Sequence, residues 1–165
     1  MKKVKGLGII DSIVLSNYIL KNYGPMSHLK LQKLLFYAQA YHLGYFEEQL
    51  ITDDFQAWVH GPVCRRIYDN LKDNSILYSD ISFDEQANEN PDQLFDALIS
   101  SSQKELLSNI LTELSSWTGL ELESSTHQES PWIAARIGYS NADKCDKIIS
   151  KESMKEFYSK EVSGW

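Results

Sequence analysis

Two spacings of hydrophobic residues alternate along the chain, and Pro, Gly and Ser mark where one gives way to the other. From Asp11 onward, Ile13, Val14, Tyr18 and Ile19 recur at helical spacing until Gly24-Pro25 stops the run. Ser27 is placed to cap a second helix through HLKLQKLLFYAQAYHL, where Leu31, Leu34, Leu35, Ala38 and His42 make one stripe. Gly44 stands where the residue just past a helix C-terminus is expected. The period then changes. In QLITDDFQAW, Leu50-Ile51 and Phe55–Trp58 flank Asp53-Asp54, which predicts a short hairpin or two extended pieces. Gly61 ends that run, and Pro62 is expected to open a helix to about Lys72, because Pro lacks an N–H that has no partner in a first turn. Val63, Ile67, Tyr68 and Leu71 would face inward from it.

Residues 73–90 are polar and acidic and read as a loop. Asn90-Pro91 opens a short helix carrying Leu94, Leu98 and Ile99, and Ser102-x-x-Glu105 reads as a capping box before KELLSNILTELSSW. TGLELESSTH predicts a further short helix ending near His127. Ser130-Pro131 repeats the cap-then-Pro signature ahead of Trp132, Ile133 and Arg136. Ser150 precedes a last helix, KESMKEFYS, with Met154, Phe157 and Tyr158. The expected fold is mainly α. It is a compact single domain of six to eight helices over residues 11-165, with a small extended or β-hairpin element near residues 50-59 and an N-terminal arm at 1-10. No internal repeat or low-complexity tract interrupts it.

A chain of 165 residues buries roughly 70% of its unfolded surface, enough for a core without disulfides or metal. The net charge of -7, from 23 acidic and 16 basic residues, argues against nucleic acid as the main partner, since phosphate contacts demand a basic footprint. Arg65, Arg66 and Lys72 supply a local basic patch, yet a basic protein partner suits the overall sign better. Four Trp, nine Tyr and six Phe are a generous aromatic supply, and Tyr and Trp serve interfaces as well as cores. Cys64 and Cys145 are distant and form no metal-ligand spacing, which suggests a reduced, cytoplasmic setting. The opening MKKVKGLGIIDSIVL imitates a signal peptide, but Asp11, Ser12, Ser16 and Asn17 interrupt it and no cleavage site follows. No run approaches about 18 apolar residues, so no membrane span is expected.

Candidate chemistry is sparse. His127-x-Glu129 opens the zinc deaminase signature, which also needs a Pro-Cys-x-x-Cys, and only Cys145 lies downstream. His28, His42, His60 and His127 form no His-x-x-x-His pair, so neither a metal nor a cofactor is expected. A metal-dependent hydrolase using His127 and Glu129 is the enzymatic alternative. STHQESPW reads more simply as a helix-to-helix corner: His127 bonds backbone, Trp132 packs inward, and Glu129 sits near a helix N-terminus, where a carboxylate gains about 0.3–1 kcal/mol. Neither a Gly-x-Ser-x-Gly elbow nor a phosphate-binding glycine loop occurs. Cys64, two residues past Pro62, would lie in a first turn that lowers a thiol pKa; an inert buried cysteine is the plainer reading. Tyr37 and Tyr41 form an i, i+4 ridge beside Gln39 and Lys33, and core and rim are both open for it.

These segments in this order carry a resemblance. The pieces are LKLQKLLFYAQAYHLG, LITDDFQAWVHGPV and RRIYDNLK, followed by the Ser102–Glu105 helix, THQESPW and IISKESMKEFY. From about Asp11 to Tyr158 the chain resembles the SocA-like antitoxin family, also called the Panacea domain, which includes phage proteins of the GepA type. It departs from the family where Phe36 replaces a frequent second Tyr, and where Val59-His60 replace Lys-Tyr or similar; residues 73–90 match nothing in particular. The resemblance implies a small, non-enzymatic, cytoplasmic protein of bacteria or prophages that binds and neutralises a toxin encoded beside it. Delivery of the toxin to an energy-dependent protease is the implied alternative, with a protease or chaperone as a further partner. The family is paired with many unrelated toxins, so the cognate toxin is left open. On this reading, Tyr37, Gln39, Tyr41, Trp58, Gly61, Pro62, Arg65 and Tyr68 are the candidate toxin-binding or motif surface. His127, Glu129, Pro131 and Trp132 are a structural corner.

Overall fold

The computed structural model describes residues 7–71 and 77–165 of the chain. Its elements run α1 (Ser12–Tyr23), β1 (Met26–Ser27), α2 (His28–Phe46), β2 (Phe55–Trp58), β3 (Gly61–Cys64), α3 (Arg65–Leu71), β4 (Asp80–Ile81), α4 (Pro91–Leu98), α5 (Ser101–Leu114), α6 (Gly119–His127), α7 (Ser130–Ala135), β5 (Ile148–Ile149) and α8 (Lys151–Glu161). The fold is mainly α, as the periodicity predicts. Two small antiparallel sheets join it, β1 with β4, and β3-β2-β5. No helix among the described residues is long and apolar enough to cross a membrane.

Local chemistry accounts for the helix starts. The side chains of Asp11, Ser27, Asn90 and Ser150 each accept a backbone N–H of the turn they precede, opening α1, α2, α4 and α8. The cap of α5 differs from the expected Ser102–Glu105 box. Ser100 Oγ accepts from the Gln103 N–H at 3.3 Å, and Gln103 Oε1 accepts from the Ser100 N–H at 2.9 Å. Gln103 wins because it is also tied elsewhere: its Oε1 accepts from the Gly8 N–H and its Nε2 donates to the Gly8 carbonyl. Those bonds, with Ile10 N–H donating to Leu50 O at 2.9 Å, fasten residues 7–10 of the expected arm to the domain. Residues 1–6 lie outside the described residues, as do residues 73–76 of the expected loop; residues 77–90 contribute only β4.

Helix α2 is the axis of the molecule. The expected single stripe becomes burial on all sides, for Gln32, Lys33, Gln39 and His42 are buried along with the leucines. Each of these polar groups has a bond partner, as burial demands. The helix also runs past the expected stop at Gly44, ending at Phe46 with Glu47 in the left-handed conformation (φ 62°). Gly44 has another role. A Cβ there would lie 2.5 Å from the Tyr158 carbonyl carbon and 2.8 Å from the Ser159 nitrogen, so its missing side chain lets α8 lie directly on α2. Gly44→Ala is therefore expected to destabilise the fold by about 1–3 kcal/mol, through overpacking against backbone that has no rotamer to yield. Urea unfolding checks it; a midpoint equal to the parent's would refute the contact.

Candidate functional site

The AWVHGPV segment folds as a hairpin, not as a strand followed by a helix. β2 pairs with β3 in the register Phe55↔Cys64, Gln56↔Val63, Ala57↔Pro62 and Trp58↔Gly61, and Val59-His60 make the turn. The expected helix start at Pro62 is thus displaced to Arg65, and Leu50-Ile51 form no strand. Pro62 fits a strand here because Ala57 directs its N–H to Lys147 O and its carbonyl to Arg136, away from Pro62. The Pro nitrogen opposite it has no ladder bond to make. Gly61 has a φ of 99°, and a Cβ would lie 2.7 Å from Lys33 Cε. Both the turn and the close approach of α2 require glycine there.

Side chains from the helices satisfy the hairpin on both edges. On the β3 side, Gln32 Oε1 accepts from the Cys64 N–H at 2.8 Å, its Nε2 donates to Cys64 O, and Lys33 Nζ donates to Pro62 O at 2.8 Å. Burial brings the Lys33 pKa down to about 7, with Glu123 acting in the opposite direction. On the β2 side, three consecutive residues are held through their backbone. Arg136 Nη1 donates to Ala57 O at 2.7 Å, Trp132 Nε1 donates to Trp58 O at 2.9 Å, and His127 hydrogen-bonds Val59. His127 stacks on Trp132 with ring centres 4.1 Å apart, and the Arg136 guanidinium lies 4.9 Å from the same indole. The THQESPW motif is a clamp on the hairpin.

Glu129 belongs to a different group of residues. Its Oε1 accepts from Tyr37 Oη at 2.9 Å and Tyr158 Oη at 2.6 Å, and its Oε2 accepts from Ser125 Oγ at 3.2 Å. Helices α2, α6 and α8 thereby meet at one carboxylate. Burial raises the Glu129 pKa while the three hydroxyls oppose it; burial, then the nearby carboxylate, raises Tyr37 and Tyr158 too. Tyr41 lies beside them, pushed up to about 12, and stacks on Trp165 at 5.8 Å. The Glu129 oxygens accept from three hydroxyls whereas His127 bonds the hairpin backbone, so the two side chains belong to different groups of residues. Among the described residues no group of three His, Cys, Asp or Glu is placed to hold a metal. Cys64 lies in β3 and not in a helical first turn; burial pushes its thiol up to about 11, the reverse of an activated cysteine.

What remains at the surface gathers in one place. Gln56 and Trp58 face outward on β2, and Trp58 Nε1 donates to Gln56 Oε1 at 2.7 Å. Tyr68 meets the Trp58 indole edge to face with centres 4.9 Å apart, and Arg65 Cζ lies 5.8 Å from the same ring. Arg65 Nε donates to Asp69 at 3.1 Å, which holds the guanidinium in position. Trp58, Arg65 and Tyr68 line one cleft together with His60 and Lys144–Asp146.

The structure therefore brings together Trp58, Arg65 and Tyr68 from the sequence-derived set. It places Tyr37 in the Glu129 group and Tyr41, half-buried, at its rim. Gly61, Pro62 and Gln39 are buried. Gln39 holds the 50–51 segment by accepting from the Leu50 and Ile51 N–H groups and donating to Ile51 O. Pro131 lies in the first turn of α7, but the helix begins at Ser130 with Glu129 as its N-cap and no side-chain cap bond, one residue ahead of the expected Ser130 cap; Trp132 is buried in the clamp. Sequence reasoning missed Lys144 and Asp146, whose only local signal is a charged run far along the chain. It also missed the clamping role of Arg136.

A family model described as antitoxin SocA-like, Panacea domain, matches residues 31–133. The span takes in most of α2, the hairpin, α3 and the clamp as far as Ile133. No curated protein and no solved structure matches the chain.

Proposed function

The chain belongs to the SocA-like antitoxin family of the Panacea domain, and from that membership we propose that it neutralises a co-encoded toxin by direct, stoichiometric protein–protein binding. The docking surface is the cleft wall of Trp58, Arg65 and Tyr68. One observation carries this reading: three residues of the types that dominate binding hot spots converge on a single outward face, above a hairpin clamped on both edges. A rigid aromatic surface needs little ordering on association, which favours affinity. The reading needs neither a metal nor a catalytic pair. It sets the protein in the reduced cytoplasm, beside the toxin it restrains.

Co-expression with each neighbouring reading frame, scored by growth, tests the proposal. A neighbour that is toxic alone and harmless beside this chain is the expected result. If no neighbour is toxic, the proposal falls. Delivery to a protease is separated by repeating the rescue in hosts lacking each energy-dependent protease: direct binding predicts unchanged rescue.

A further inference from the structure

The cleft has two walls of different origin. Trp58, His60, Arg65 and Tyr68 come from within residues 31–133, the segment that matches the family model. Lys144 and Asp146 come from outside it. The second wall is nonetheless built into the domain. Arg136 Nη2 donates to Ser140 O and Asp143 O while Nη1 holds Ala57 O, Cys145 is buried, and Lys147 O accepts from the Ala57 N–H. One guanidinium thus fixes the 140–143 turn to the strand that carries Trp58.

Its charges are unequal. Lys144 is exposed, and among the described residues no carboxylate lies within ion-pair distance of it. Arg65, paired with Asp69, lines the same cleft, and Asp146 is the one carboxylate of the lining. On a chain of net charge -7, Lys144 thus offers the cleft a positive charge that no ion pair among the described residues takes up. An apolar ledge adjoins it: Ile148, 56% exposed, is the cross-strand partner of Gln56, whose Oε1 holds the Trp58 indole. Cross-strand partners share one face of a sheet, so Ile148 extends the Trp58 surface.

We infer that the cleft receives a carboxylate side chain of the toxin set beside an apolar residue, and that the Lys144–Ile148 wall decides which toxin is accepted. This rests on the toxin-binding reading above. The carboxylate meets Lys144 and Arg65, and its apolar neighbour covers Trp58 and Ile148. A wall supplied by a separate stretch of the chain is where partner choice can vary while the Trp58 wall stays the same.

The test is titration calorimetry of the purified chain with the toxin identified by growth rescue. Lys144→Glu and Ile148→Asp are each expected to weaken binding about tenfold or more, with the melting temperature unchanged because both side chains are exposed. Neutralising the toxin's exposed Asp and Glu residues one at a time should reveal one that weakens binding to the parent chain but not to Lys144→Glu. Replacing that residue by Lys should restore binding to Lys144→Glu. Full affinity in Lys144→Glu and Ile148→Asp, with affinity lost in Trp58→Ala, overturns this inference and leaves the toxin-binding reading standing. Full affinity in Trp58→Ala as well overturns the cleft as the docking surface.

Discussion

On the proposed function, Trp58→Ala is expected to lower affinity for the toxin by about 30- to 1,000-fold, the equivalent of ~2–4 kcal/mol for a hot-spot aromatic, and to abolish growth rescue. The fold should tolerate the change. The indole lies on the outer face of β2, its Nε1 bonded to Gln56, while the strand is held through Trp58 O by Trp132 and through Ala57 O by Arg136. None of those backbone bonds needs the Trp58 side chain. A stability loss of no more than about 1–2 kcal/mol is expected, from the lost contacts with Tyr68 and Arg65. Calorimetric titration and thermal melting on the same preparation decide it. An unfolded variant, or one that binds as tightly as the parent, would show that Trp58 is core and not anchor.

Glu129→Leu is the change expected to damage the fold most, by about 2–5 kcal/mol. It removes the common acceptor of Tyr37, Tyr158 and Ser125; Tyr37 keeps a donor bond to Ser125 Oγ at 2.9 Å, whereas Tyr158 Oη is left without its acceptor inside the protein. Glu129→Gln keeps an oxygen for the phenols and should lose far less. The two substitutions also differ from the parent in pH response. Burial raises the folded-state pKa of Glu129 above the ordinary glutamate value, so the folded chain holds this proton more tightly than the unfolded one. Its contribution to stability is full below the ordinary glutamate pKa and is lost as pH rises through the raised folded value. Glu129→Gln lacks that loss. Its stability relative to the parent should therefore improve as pH rises from about 4, the ordinary glutamate range, through the raised folded value, as read from urea midpoints. A difference that stays constant over this range would contradict the raised pKa.

Much of the helical framework is legible in the chain because its signals are local. Asp11, Ser27, Asn90 and Ser150 cap in the structure where a side-chain oxygen precedes an apolar period. The misplacements share a cause. Gly44 looks like a stop because glycine commonly ends helices, yet here it is dictated by the Tyr158 backbone, 114 residues away in the chain. Ser100 and Gln103 outcompete Ser102 and Glu105 because Gln103 also bonds Gly8, a contact invisible to local spacing. Pro62 carries a helix-start signature, but Ala57, its cross-strand neighbour, turns its own polar groups to Lys147 and Arg136 and leaves room for a residue without an N–H.

The candidate site was legible only in pieces. Trp, Arg and Tyr within the eleven residues 58–68 suggest a hot spot, and Trp58, Arg65 and Tyr68 do converge. For the face of Tyr37 and Gln39 the sequence leaves core and rim both open, because a helix with polar residues on it is normally amphipathic. The packing of α8 and the 50–51 segment against α2 turns that face inward. The Lys144–Asp146 stretch carries no motif, and it reaches the cleft because Arg136, the Ala57–Lys147 backbone bond and the β2–β5 pairing join its segment to β2.

Direct binding is the central claim, and the most direct measurement of it uses purified components without any protease. The toxin's activity is titrated with this chain while complex formation is followed by analytical ultracentrifugation. Inhibition that is complete at a fixed stoichiometry and coincides with complex formation is the result predicted. A toxin that remains active when fully bound, and is silenced only when a protease and ATP are added, would contradict neutralisation by binding and make this chain a carrier.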